Sequence, residues 1–191
     1  AACGDSSDSG DDSSGGSSDS SESSSSFPVT IEHAFGETTI EQAPTRVATL
    51  GWTDHDHALA LGVVPVGATK ITWGGNEHGS TDWFDKAVKE IDPDAKIVRY
   101  DDTDGIPVDE IAKLTPDLVL GVNSGLTKED YQKLSKIAPT VAYPELAWGT
   151  PWEVSVKMIG KAIGRPDQAG KLIGETNRLI DDAVAEHSEV K

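Results

Sequence analysis

Asp54-His55-Asp56-His57 is the string in this chain with the most evident chemistry, because imidazoles and carboxylates together suit zinc or manganese. Its spacing limits that reading. If a helix begins at Asp54, His55 and His57 stand two residues apart and diverge by about 200°, so regular helix cannot aim both at one ion. Metal ligation by His55 or His57 is therefore the minor reading, beside an N-capping Asp54 followed by polar first-turn residues. Ser124, in Gly121-Val122-Asn123-Ser124-Gly125, approaches a nucleophile elbow but stands one place too late for G-x-S-x-G. A hydrolase acting through Ser124 is a distant alternative, and a polar turn facing a cleft is the main reading. Neither a P-loop nor a dinucleotide-binding G-x-G-x-x-G is present, so no catalytic residue and no cofactor are expected.

The tryptophans carry more than the histidines. Trp52 follows the first strand of the body, Trp73 the second, Trp148 and Trp152 the fifth, while Tyr100 ends the third. Loops at one edge of a sheet would gather these rings into an aromatic-walled cleft for a bulky, partly apolar ligand. Lys70 and Arg99 are the nearest bases and would meet carboxylate, phenolate or hydroxamate oxygens. His33, His78 and His187 are scattered and read as solvated.

The pattern around these residues predicts the sheet that positions them. Short apolar runs at Arg46–Leu50, Val64–Ala68, Lys96–Tyr100, Asp117–Val122 and Thr140–Tyr143 read as strands, with helices between them at about 55–61, 80–90, 107–114 and 127–137. Asp54, Pro107 with Asp109-Glu110, and the capping box Thr127-Lys128-Glu129-Asp130 mark helix starts. This alternation predicts an α/β, Rossmann-like lobe: a central parallel sheet of about five strands flanked by helices, with ligands at the carboxyl ends of the strands. Ahead of it, Val29-Thr30-Ile31 and Thr38-Thr39-Ile40 predict an N-terminal β-hairpin, ended by Pro44. Beyond Pro144 two helices follow with no strand between. Thr150-Pro151 reads as a helix start and Gly164-Arg165-Pro166 as a stop. The last helix, with Ala169, Leu172, Ile173, Thr176, Leu179, Ile180 and Ala183 on one stripe, would be about 30 Å long.

Of 191 residues, the first 26 are nearly free of apolar side chains, so the folded body has the size of one ordinary domain. The whole carries 16 bases against 33 acids, a net charge of −17. Six of those acids lie in the first 26 residues, which hold no base, so the rest keeps a net −11 and conceals no basic face. Such a balance repels phosphate backbones, and nucleic acid is not an expected partner. No run approaches the roughly 18 apolar residues of a membrane helix. The only cysteine, Cys3 in Ala1-Ala2-Cys3-Gly4, is either a free thiol or, because this start resembles the end of a bacterial lipobox, a lipidated N-terminus. Residues 4–26 would then be a flexible Ser/Asp/Gly tether.

Four phrases carry a resemblance to a known family. They are Ala43-Pro44-Thr45-Arg46-Val47-Ala48-Thr49-Leu50, Ala58-Leu59-Ala60-Leu61-Gly62-Val63-Val64-Pro65-Val66-Gly67, Asp109-Glu110-Ile111-Ala112-Lys113-Leu114-Thr115-Pro116-Asp117-Leu118-Val119-Leu120-Gly121 and Leu134-Ser135-Lys136-Ile137-Ala138-Pro139-Thr140-Val141. In this order they resemble the N-terminal lobe of the siderophore- and cobalamin-binding (helical-backbone, class III) lipoproteins that serve bacterial ABC importers, whose two lobes are joined by one long helix. The resemblance implies a tether over residues 1–26, a substrate-binding lobe over 27–150, and a helical segment over 151–191 that includes the interlobe helix. The second lobe would be missing from this chain.

It further implies a receptor without catalysis, expected as a monomer when full length and anchored to the outer face of the cell membrane through Cys3. Its ligand would be a ferric siderophore, passed on to an ABC permease in the membrane. Haem, cobalamin or a transition metal ion on the same scaffold is the alternative. The ligand would lie against Trp52, Thr69, Lys70, Trp73, Tyr100, Asn123, Ser124 and Trp148, and Glu129 would meet the permease. The charge balance favours a neutral or cationic hydroxamate chelate over a tris-catecholate.

Overall fold

The two β-branched runs pair as an antiparallel hairpin, β1 (Val29–His33) and β2 (Gly36–Ile40), in the computed structural model, which describes residues 27–187. The predicted anchor and tether lie outside the described residues. Ile31 and Ile40 point from the hairpin into the core, and Thr38 Oγ1 donates to the Thr140 carbonyl at 2.6 Å. The hairpin thereby covers one edge of the main sheet, where unpaired strand groups would otherwise stand open.

That sheet consists of β3 (Val47–Thr49), β4 (Gly67–Thr69), β5 (Val98–Tyr100), β6 (Leu118–Gly121) and β7 (Thr140–Ala142). All pairs are parallel and the spatial order is β5-β4-β3-β6-β7. The helices are α1 (Asp54–Ala60), α2 (Asp82–Ile91), α3 (Val108–Lys113), α4 (Lys128–Leu134), α5 (Trp152–Ala162) and α6 (Pro166–Glu186). Side chains alternate between the two faces with the period of a strand. Val47, Leu118 and Leu120 pack with Ala58 of α1 and with Val156 and Ile159 of α5. Ala48, Val119 and Ala142 face the other way, onto Ile111 of α3 and Leu134 of α4. A smaller cluster of Leu59, Phe84 and Val88 joins α1 to α2. Both faces of β6 are buried, as a continuous apolar strand in a covered parallel sheet requires.

The predicted strands and helices stand within a few residues of the observed ones, with one displaced strand. The run Val64–Ala68 yields strand only at Gly67–Thr69. Val63 N–H is engaged by the Ala58 carbonyl at the end of α1, and Pro65 has no N–H to donate to a ladder. The start of α5 also differs. Pro151 is extended (ψ 145°) and the helix begins at Trp152, while Thr150 Oγ1 donates to the Val122 carbonyl at 2.6 Å instead of capping.

Of the capping box at Thr127 the cap itself forms, with Asp130, while the return bond runs from hydroxyl to carboxylate in place of the box's bond to the Thr127 N–H. Thr127 Oγ1 accepts from Asp130 N–H at 3.1 Å and donates to Asp130 Oδ2 at 2.6 Å. Thr127→Ala is expected to cost about 1 kcal/mol of stability, read as a lower urea midpoint at constant m-value.

The last helix, α6, runs 21 residues, and its first turns pack on α5 through Ala169, Leu172 and Ile173. Leu179, Ile180 and Val184, further along, are exposed. Among the described residues no helix is long and apolar enough to cross a membrane.

Candidate functional site

The strand order creates a switch point between β3 and β6: from β3 the chain moves outward through β4 and β5, then crosses back to β6 and β7. Loops leaving the carboxyl ends of β3 and β6 diverge there, which is where parallel sheets of this kind seat their ligands. One carboxylate fastens the two loops. Asp54, fully buried at the start of α1, accepts from the backbone N–H of Val122 at 2.6 Å and of Asn123 at 3.0 Å. Burial pushes its pKa up to about 7, against the pull of those two donors. Asp54 is thus a tertiary clamp and not the expected N-cap; Thr53 holds that position without a side-chain cap bond.

Beside the clamp, Trp52 N–H donates to the Asn123 carbonyl at 3.2 Å, and Asn123 Nδ2 to Thr53 Oγ1 at 3.3 Å. Gly51 lies at φ +74°, and a Cβ there would stand 2.2 Å from the Asn123 carbonyl oxygen. Only glycine permits both this backbone conformation and this approach.

The β6 loop in turn positions a third ring. Ser124 Oγ donates to the Gly121 carbonyl at 2.8 Å and accepts from Leu126 N–H at 3.2 Å, while the Ser124 carbonyl accepts from Trp148 N–H at 3.1 Å. Trp148 is held at φ +60°, a conformation uncommon for a bulky residue. Its indole lies over Gly125, where a Cβ would stand 2.6 Å from Nε1.

These restraints leave a cleft of about 450 Å³ whose lining includes Trp52, Thr69, Lys70, Trp73 and Trp148. The three rings stand open to solvent, Trp52 at 66%, Trp73 at 83% and Trp148 at 54% exposure, so the core of the described residues does not cover them. Lys70 extends from β4 with its stem against Gly79.

Other predicted site residues are placed differently. Tyr100 is buried beneath the sheet edge, its hydroxyl donating to the Thr49 carbonyl, and burial raises its pKa. Ser124 is buried with its hydroxyl turned to backbone, and Asn123 is half-buried with Nδ2 directed to Thr53. Ser124 holds the β7 loop that carries Trp148 through its carbonyl, and Asn123 holds the β3 loop that carries Trp52. Arg99 points away from the rings: Nη2 donates to Ser80 Oγ at 2.6 Å, Nη1 to the Thr69 carbonyl at 3.3 Å, and the guanidinium lies 4.8 Å from the Phe84 ring centre. Trp152 packs against the core from the first turn of α5. Conversely, Asp56, Thr72 and Asp102 line the cleft although no motif marked them as such. Asp102 follows a strand end just as the tryptophans do, so the rule that located the rings applies to it as well.

The Asp54–His57 string does not assemble an ion site. His55 is buried edge-on to Phe84, ring centres 5.2 Å apart. Its Nε2 lies 3.1 Å from Asp56 Oδ1, within ion-pair range but not aligned as a hydrogen bond. Burial lowers the His57 pKa. Among the described residues no cluster of three His, Cys, Asp or Glu side chains could hold a metal ion. Glu129 is exposed near the start of α4 and pairs with Lys133 at 2.7 Å, and this hydrogen bond holds its carboxyl below the usual range.

Comparison with known proteins places this geometry. The Bacillus subtilis (strain 168) "Probable siderophore-binding lipoprotein YfiY" is 33% identical over 160 residues, 83% of this chain and 45% of that protein. The iron(3+)-hydroxamate-binding protein YxeB of the same organism is 32% identical over 117 residues, 59% of this chain and 33% of that protein. The chain therefore spans less than half the length of these relatives. PiaA of Streptococcus pneumoniae TIGR4, solved in complex with ferrichrome, superposes with a TM-score of 0.77 at 40% identity, over 84% of this chain and 52% of PiaA. A family model described as periplasmic binding protein matches residues 47–191, which take in every strand that borders the cleft. By that match and that architecture, the chain belongs to the periplasmic binding protein family.

Proposed function

We propose that this chain is the N-terminal lobe of a receptor that captures ferric siderophores outside the membrane and delivers them to an ABC permease. The observation that carries the reading is the cleft at the β3/β6 switch point, with Trp52, Trp73 and Trp148 presented to solvent and the β3 and β6 loops braced by Asp54 and by the Ser124 hydroxyl. Solvent-exposed rings brought together from three loops at one sheet edge suit a bulky chelate with an apolar periphery. The role is binding without catalysis, since the Ser124 hydroxyl is committed to the backbone of its own turn. The names of the relatives, a siderophore-binding lipoprotein and an iron(3+)-hydroxamate-binding protein, support the choice of cargo.

In this reading residues 27–150 form the ligand-binding lobe, residues 151–191 lead along α6 toward a second lobe, and lipidated Cys3 holds the protein on the cell surface. Glu129, exposed near the start of α4, is the carboxylate offered to the permease. The full-length receptor acts as a monomer.

Titration of the 191-residue chain with ferric hydroxamate, catecholate and carboxylate chelates, followed by tryptophan fluorescence, tests the reading. Saturable quenching by at least one chelate is expected, weakened roughly tenfold by Trp148→Ala. A flat response to all three classes would sink it.

A further inference from the structure

The cleft carries an asymmetry of charge that the reading above does not use. Its lining holds two carboxylates, Asp56 from the first turn of α1 and Asp102 from the loop after β5, against one ammonium, Lys70. The other base of this edge, Arg99, is absent from the lining: it donates to Ser80 Oγ and the Thr69 carbonyl, faces Phe84 and borders a separate groove beside Asp85, so its charge reaches Asp56 but leaves Asp102 as the more exposed of the two acids to a ligand's charge. Asp101 and Asp104 extend the acidic segment around Asp102.

Thr69 lies on the same lining. It is only 9% exposed, and its hydroxyl has no partner among the described residues. A buried, unpaired hydroxyl at the base of an open cleft is a group left for a ligand to satisfy. The walls reinforce the sign of the lining charge, because indole faces attract cations and repel anions.

Resting on the reading of this cleft as a chelate site, we propose that it discriminates ferric chelates by net charge, through Asp56 and Asp102. It accepts tris-hydroxamates, which are neutral or, with a protonated side amine, cationic, and it refuses tris-catecholates, which carry three negative charges. Burial already raises the Asp102 pKa, so a further anion in the cleft meets a carboxylate that is itself short of solvation. Charges a few ångströms apart at the edge of a protein interact strongly enough for a chelate of charge −3 to lose at least about tenfold in affinity.

The test is fluorescence titration of the 191-residue chain with a neutral ferric tris-hydroxamate, one bearing a protonated amine, and a ferric tris-catecholate. Each is measured in about 10 mM and about 500 mM salt, between which the screening length shrinks severalfold. The expected order of affinity is cationic, then neutral, then the catecholate at least about tenfold weaker. That gap is expected to narrow in high salt and in Asp56→Asn/Asp102→Asn, and to widen in Lys70→Gln, which reads the same charge balance from the opposite side. Catecholate binding as tight as hydroxamate binding overturns the charge inference and leaves the chelate reading intact. So does a gap indifferent to salt and to both sets of substitutions, which assigns selection to shape. Absence of binding by every chelate removes the chelate reading itself.

Discussion

Asp54→Ala is expected to lower the unfolding free energy by about 3–5 kcal/mol, because it strips the acceptor from one buried and one part-buried backbone donor at once. Among the described residues the Val122 and Asn123 N–H groups are bonded to Asp54 alone. The effect extends beyond stability. The same loop presents the Ser124 carbonyl that holds Trp148 N–H, so loosening it frees one wall of the cleft.

Asp54→Asn removes the titrating group and keeps one of the two acceptor oxygens; the lost hydrogen bond is a constant offset, so the pH dependence of the difference reads the charge. An acid raised from its ordinary 3.8 to about 7 is protonated in the folded protein and ionised in the unfolded chain between those values. Its contribution to stability is therefore complete below about pH 3.8 and is lost as pH rises through 7. Wild type minus Asp54→Asn, measured by urea unfolding from pH 4 to pH 8, is expected to fall by on the order of 4 kcal/mol. His57 works in the opposite direction. Its lowered pKa makes its contribution complete above its ordinary 6.5 and lost as pH falls through the folded value, so the variant difference, not the raw profile, isolates Asp54. A difference that is flat across this range would refute the buried-acid assignment.

Gly51→Ala is expected to cost about 3 kcal/mol or more and to abolish saturable chelate quenching. Two penalties combine. An L-residue at φ +74° loses about 1 kcal/mol on conformation alone. The new Cβ would also stand 2.2 Å from Asn123 O and 2.9 Å from Ser124 Cα, both backbone atoms that no rotamer change can move aside. The β3 and β6 loops must separate, breaking the Trp52 to Asn123 hydrogen bond. Gly74→Ala supplies the control: its φ is +73°, yet nothing lies within 4 Å of the added methyl. It should lose only the conformational part, about 1 kcal/mol, and keep chelate quenching. Equal losses at the two positions, read from urea midpoints, would mean that the close approach at Gly51 carries no energy.

Much of the architecture was legible in the chain itself. The hairpin, the βα alternation, the cap at Thr127 and the amphipathic stripe of α6 all express local periodicity and local hydrogen-bonding chemistry, which act over a few residues and leave a readable trace. The location of Trp52, Trp73 and Trp148 followed from one further rule, that residues after parallel strands share an edge. What local pattern could not resolve was direction within that edge. Arg99 and Tyr100 stand at the end of β5 as expected, but Ser80 and Phe84 draw the guanidinium to one side, and the Thr49 carbonyl draws the phenol inward.

By itself, then, the sequence determined which segments are strands and helices, that the sheet is parallel, and which loops share one edge of it. The tertiary structure alone decided that β3 and β6 are neighbours, that Asp54 braces both their loops instead of capping its helix, and that the charged residues lining the cleft are Asp56, Lys70 and Asp102. The physical reason is the range of the interactions. Periodicity and caps operate between residues at most a few positions apart, whereas the Asp54 clamp joins residues 68 and 69 positions apart and exists only once the strand order has formed.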